Sequence, residues 1–216
     1  MLTLTWLERV REVVVFGAHC DDIEIGCGAT ILRLAAARPD VRVRWVVWSS
    51  TPEREAEARR SAARFLEGLP DRAVDVHSFR DGYFPSEHAA IKDRFEALKG
   101  QTTPDLVLTH AAADAHQDHR LINELTWNTF RDHVVLEYEI PKYDADLGNP
   151  NLFVPVDDAT AARKVEILLA EYPSQHAKRW FTEETLYSLM RLRAVHAGCP
   201  ARYAEAFFAR KAILAV

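Results

Sequence analysis

The stretch Val13-Val14-Val15-Phe16-Gly17-Ala18-His19-Cys20-Asp21-Asp22-Ile23-Glu24 runs from β-branched and aromatic residues straight into a cluster of metal-capable side chains. A strand is expected to end on that cluster. Later the pattern recurs, with Leu106-Val107-Leu108-Thr109 leading into His110, Asp114, His116, Asp118 and His119. Two strand ends rich in His and Asp suggest one bipartite active site.

Outward from these segments, short β-branched runs alternate with stretches of helical periodicity, the pattern of a mostly parallel sheet wrapped by helices. Strands are expected at Glu12–Phe16, Val41–Trp48, Ala73–Phe79, Asp105–Thr109 and Val134–Ile140. Apolar stripes at helical spacing mark core faces: Cys27, Ile31, Leu34 and Ala35 in a first helix, Ile91, Phe95 and Leu98 in a third. The second helix, Pro52 to Glu67, opens with Pro after Thr51 and pairs Glu55 with Arg59. After Pro141 the pattern loosens through Gly148-Asn149-Pro150. Two further helices follow, carrying Val165, Leu168, Leu169 and Tyr172, then Leu186, Leu189 and Met190. The closing segment, Tyr203 to Leu214, reads as a strand or a helix. The fold class is α/β, with strand order 3-2-1-4-5, helices on both faces and a C-terminal extension. In such sheets ligands sit beyond the carboxyl ends of the strands, where strand order reverses. The first and fourth strands are neighbours there, so the two polar clusters are expected to meet.

The 216 residues are expected to form a single domain, 1–216, long enough to bury a full core without disulfides. The formal net charge of −5 argues against nucleic acid or an anionic membrane as partner, and small-molecule or glycan substrates fit better. No transmembrane segment is expected, because no apolar run approaches the ~20 residues that cross a bilayer. The opening, Met1 to Val10, lacks the features of a secretory signal. Cys20, Cys27 and Cys199 are odd in number and form no CxxC pair, which suits reduced thiols in a cytoplasm. No motif speaks to oligomeric state, and a homo-oligomer is compatible with the chain.

The spacing of His19 and Asp22 at a strand-to-helix turn lets imidazole and carboxylate converge on one ion, with Asp21 left outside the first shell. His119 is placed to be the third ligand. Two His and one carboxylate leave a position open for water, as in catalytic zinc sites, where that water reaches a pKa of roughly 7. Asp21 is then placed to accept the water's proton. His116, as imidazolium, is placed to stabilise an oxyanion or to protonate a leaving amine. Asp118 is expected to bond the second ring nitrogen of His116. That role requires His116 to His119 to lie in a loop, with the helix beginning near Arg120. Glu24 is expected to support the turn by accepting backbone N–H bonds. Gly26 and Gly28 permit tight packing but lack the full dinucleotide-binding pattern. His110 and Asp114 either line the site, as substrate contacts, or brace its loop. His77, His88, His133, His176 and His196 are read as surface or packing residues.

Ala18-His19-Cys20-Asp21-Asp22-Ile23-Glu24 and His116-Gln117-Asp118-His119 resemble the AHPDDxE and HPDH motifs of the PIG-L or LmbE-like zinc-dependent de-N-acetylases. Weaker likeness extends to Arg54-x-x-Glu57, Tyr172-Pro173-Ser174-Gln175 and Tyr203 to Phe207. The resemblance implies a Rossmann-like sheet and zinc as cofactor, other divalent metals being compatible. It implies His19, Asp22 and His119 as ligands, Asp21 as general base, and His116 as oxyanion stabiliser or acid. It also implies hydrolysis of a linear amide: removal of an N-acetyl or acyl group from an amino sugar, such as an N-acetylglucosamine-containing glycan, glycolipid or glycoconjugate. Cys20 and Gln117 replace the two prolines, which puts turn rigidity in question. A thiol at position 20 could also compete for the metal. Arg54 matches an arginine that lies near substrate in relatives. Arg80 and Asp81, by their place after the third strand, border the cleft as sugar-binding residues or form a tight Asp-Gly turn. Specificity is expected in Arg80–Glu87 and Pro141–Asn151. Two other readings use the same residues. The ligand set also suits a non-haem Fe(II) oxygenase, which usually wants a β-rich scaffold. The third reading is a non-catalytic sugar-binding module.

Overall fold

The computed structural model describes residues 9–213. The opening stretch up to Glu8, and Leu214 of the closing segment, lie outside the described residues. A seven-stranded sheet runs in the order β3-β2-β1-β4-β5-β7-β6. Strands β1 (Glu12–Gly17), β2 (Arg42–Val47), β3 (Arg72–Val76), β4 (Leu106–His110) and β5 (Val134–Tyr138) are parallel. β6 (Leu152–Val156) and β7 (Tyr203–Ala209) close the far edge, with β7 antiparallel to both its neighbours.

Alternate strand residues face opposite layers, so the central strands β1 and β4 are buried on both sides and read as continuous, mostly apolar runs. Val13, Val15, Trp45 and Leu108 pack with α1 (Asp22–Ala37), α2 (Pro52–Phe65), α5 (Asp158–Glu171) and α6 (Glu183–Ala197). Val14, Phe16, Trp48 and Val107 pack with α3 (His88–Lys99) and α4 (Gln117–Thr129). The expected order 3-2-1-4-5 is therefore the core of the sheet, and the extension adds β6, β7 and α6 to it.

The sequence reading has no strand at 152–156. Pro155 sits inside that run and argues against a central strand, yet β6 is the edge, where a missing N–H costs no ladder bond. The closing segment, left open between strand and helix, forms β7. Among the described residues no helix is long and apolar enough to cross a membrane.

Helix α1 is broken at Cys27, whose φ of −143° departs from helical geometry. The break exposes backbone groups on both sides, and a buried ion pair takes them up. The Glu205 carboxylate accepts from the N–H groups of Ala29 (2.8 Å) and Thr30 (2.7 Å). Lys164 Nζ donates to the Ile25 carbonyl (2.6 Å) and lies 2.7 Å from Glu205. Gly26 is needed at this point, because a Cβ there would meet the Tyr138 ring at 2.1 Å.

Removing one partner of a buried pair leaves the other charge uncompensated. Lys164→Met is expected to lower unfolding free energy by about 3–5 kcal/mol, read from the urea midpoint at unchanged slope.

Candidate active site

The ends of β1 and β4 emerge side by side. The Ala18 N–H donates to His110 Nε2 at 2.9 Å, while the Gly17 and Ala18 carbonyls accept from Trp48 and Ser49. The loop after β1 is thus held by the strands on either side. Its last residue, Asp21, has φ +132°, a region that L side chains avoid at a cost of about 1–3 kcal/mol. Asp22 then opens α1, and its Oδ2 accepts the His19 N–H at 2.7 Å.

Three ligand atoms converge in this turn. His19 Nδ1 lies 3.2 Å from His119 Nε2 and 3.4 Å from Asp22 Oδ2, and His119 Nε2 lies 3.5 Å from Asp22 Oδ2. Tetrahedral bonds of about 2.0–2.1 Å place ligand atoms about 3.3–3.4 Å apart, so this triangle fits one zinc ion. Asp22, His110 and His119 also lie within reach of one another. In that set, however, the His110 Nε2 lone pair already accepts the Ala18 N–H.

The far nitrogen of each imidazole meets a carboxylate. His119 Nδ1 lies 2.9 Å from Asp114 Oδ2, and His19 Nε2 lies 3.3 Å from Asp118 Oδ2 and 3.0 Å from Asp81 Oδ1. Those acceptors hold the ring protons on the outer nitrogens and leave lone pairs facing the triangle. Burial and the neighbouring His110 push the His119 pKa down to about 4, which keeps this ring neutral at pH 7. Burial alone would also lower His19, but Asp118, Asp22 and Asp81 raise it well above the usual value, so a bound cation would have to displace the proton that this ring otherwise holds on Nδ1. The Asp22 carboxyl, despite its burial, is held well below the usual carboxylate range by His119, His110 and His19.

Asp21 and His116 flank the triangle. Burial raises Asp21 to about 6, opposed by the Arg54 guanidinium 3.1 Å away. His116 is the N-cap of α4, and its Nδ1 accepts the Asp118 N–H at 3.2 Å. The proton of the neutral ring therefore sits on Nε2. Burial and His19 lower the His116 pKa, so the neutral form prevails.

The PIG-L family, described as GlcNAc-PI de-N-acetylase, matches residues 14–130. That span is more than half of the chain. The chain belongs to the PIG-L family. Among solved structures it is similar to the conserved protein TT1542 from Thermus thermophilus, at 23% identity and TM-score 0.70 over 96% of this chain and 97% of that one. N,N'-diacetylchitobiose deacetylase from Pyrococcus horikoshii shares 18% identity, with TM-score 0.70 over 93% of this chain and 84% of that one. GalB, the 4-carboxy-2-hydroxymuconate hydratase from Pseudomonas putida KT2440, shares 16% identity, with TM-score 0.71 over 95% of this chain and 98% of that one. No curated protein sequence matches the chain. With a buried His/Asp/His cluster suited to zinc, this PIG-L chain is a metal-dependent hydrolase.

Several expectations change once the PIG-L site is seen whole. Helix α4 begins at Gln117 rather than near Arg120, because His116 caps it. Asp118 consequently meets the His116 ring with its backbone N–H. Its carboxylate accepts from Gly82 N (2.6 Å) and Phe84 N (3.1 Å) and faces His19. His110 and Asp114, expected either as substrate contacts or as braces, are both buried: His110 stacks on His119 at 3.9 Å, and Asp114 accepts from the His116 N–H at 2.8 Å. Arg54 is engaged by Asp21 and the Cys20 carbonyl. Glu24 accepts from the Tyr172 hydroxyl at 2.5 Å, and burial raises it to about 7. Cys20 points its thiol at the Ser49 carbonyl (3.3 Å), and burial pushes its pKa up.

Gly82 has φ +78° and presents its N–H to Asp118, while Arg80 lies over the Tyr83 ring at 3.6 Å and Asp81 stays largely exposed beside His19. The sequence reading missed Lys142, whose Nζ lies 3.0 Å from Asp114 Oδ1. Its one visible signal is its position just beyond the fifth strand.

Replacing Asp118 by Ala removes one of the two carboxylate acceptors at His19 Nε2, Asp81 being the other. The expected result is a 10–100-fold loss, on the order of magnitude seen for such outer partners, in zinc affinity measured by chelator competition.

Proposed function

We propose that this chain removes an N-acetyl group from an amino sugar, and that His19, Asp22 and His119 hold the zinc ion on which it depends. The ion supplies a Lewis acid that activates water and polarises the amide carbonyl. Asp21 takes the proton of the attacking water as its oxygen bonds to the carbonyl carbon. Arg54 keeps the Asp21 carboxylate in place and opposes the rise that burial alone would cause. The same proton is then handed from Asp21 to the nitrogen as the C–N bond breaks. His116 donates its Nε2–H to the developing oxyanion as a neutral imidazole, because its other nitrogen is engaged by the first turn of α4. This replaces the imidazolium expected from the sequence. Acetate and a free amine are the products.

The observation that carries this reading is the triangle of ligand atoms with a carboxylate and an N–H donor beside it. Fold similarity does not carry it, since a hydratase shares the fold as well as a deacetylase does. The family description and the chitobiose deacetylase support an amino sugar as substrate. The helix-covered parallel sheet also speaks against the oxygenase reading, which wants a β-rich scaffold.

A panel of N-acetylated amino sugars, N-acetylglucosamine and diacetylchitobiose among them, should release acetate with zinc-loaded protein. No release from any member at full metal occupancy would remove the proposal. Asp21→Asn is expected to lower kcat by about 10²–10⁴ with zinc content unchanged. His116→Ala should lower kcat by roughly 10²–10³ with a smaller effect on KM.

A further inference from the structure

The geometry points to Lys142 as a positioning residue that ties the loop after β5 to the metal centre through Asp114 and His119. This inference rests on the ligand assignment proposed above. Asp114 works in two directions: Oδ2 faces His119 Nδ1 at 2.9 Å, while Oδ1 meets Lys142 Nζ at 3.0 Å and the His116 N–H at 2.8 Å. A carboxylate buried to 4% exposure can keep its charge only if such partners replace water. Lys142 supplies the full positive charge among them.

The lysine is itself fixed. Asp146 Oδ2 lies 2.5 Å from Nζ and accepts the Ala115 N–H at 2.7 Å, so one carboxylate binds both the lysine and the loop that carries Asp114. Farther along, Gly148 is clamped by the buried pair Glu139 and Arg193, with its N–H 3.0 Å from Glu139 and its carbonyl 3.1 Å from Arg193. The segment from Lys142 to Gly148 is therefore anchored at both ends. Lys142 and Asp114 also line a cleft of about 220 Å³ with Ala111, Ile140, Leu147 and Phe208. A group entering that cleft meets the same lysine that steadies His119.

The test compares Lys142→Met and Lys142→Arg as zinc-loaded proteins. Lys142→Met is expected to bind zinc about 10–100-fold more weakly in chelator competition, since partners beyond the ligands contribute on that order. The visible spectrum of its cobalt-substituted form should shift. Lys142→Arg should recover most of the affinity and the spectrum, because it restores the charge at Asp114. A folded Lys142→Met with wild-type affinity and spectrum overturns the inference, even if its melting temperature falls. Should that variant fail to fold, Lys142→Gln provides the same two readouts and the same two outcomes. His119→Ala separates the two levels. If it loses zinc while the lysine variants do not, Lys142 alone is removed; if it retains zinc, the ligand assignment falls with it.

Discussion

An imidazole can offer a lone pair to a cation from one nitrogen only if its proton sits on the other. Everything at this site follows from where those protons are held. His19 and His119 turn Nδ1 and Nε2 respectively toward Asp22, and each has a buried carboxylate on its opposite edge. The acceptors select the tautomer and fix the ring plane together. Without them, two ring nitrogens 3.2 Å apart would have no reason to present lone pairs to one point.

That arrangement places Asp22, Asp114 and Asp118 inside the protein, and each carboxylate needs donors there. The backbone supplies many of them. Asp22 accepts from His19 N, Asp118 from Gly82 N and Phe84 N, and Asp114 from His116 N. These N–H groups come from turns beyond β1, β3 and β4, where the chain leaves the parallel sheet with unpaired amides. The doubly wound order brings those turns together, which is why the site forms at this edge. Side-chain cations add to the backbone donors: Arg54 at Asp21 and Lys142 at Asp114.

The sequence was informative where the chemistry is local. His19 and Asp22 lie three residues apart, and strand ends are recognisable from β-branched runs, so the meeting of the two clusters could be read directly. Asp118 was harder, because its partner depends on which residue caps α4. A shift of the helix start from Arg120 to Gln117 takes its carboxylate from His116 to His19. His110 illustrates another limit. Nothing in the residue type separates a histidine that accepts a backbone N–H from one that faces an ion. β6 was hidden by Pro155, whose tolerance is a property of the edge and not of the strand itself.

The family match ends at residue 130, yet the residues that brace the site extend well past it. Tyr138 fills the space above Gly26 and donates to the Phe16 carbonyl, Tyr172 holds Glu24, and Lys164 with Glu205 bridges the break in α1. All four act on the backbone or side chains of the strand and helix that present His19 and Asp22. Asp21 sits between those two residues in a conformation that only surrounding structure can maintain. The chemistry thus lies in the part of the chain that matches the family, while the rigidity that the chemistry needs comes from β5, α5 and β7. Substitutions in that later half can therefore act on the metal site without touching it, through the first two turns of α1.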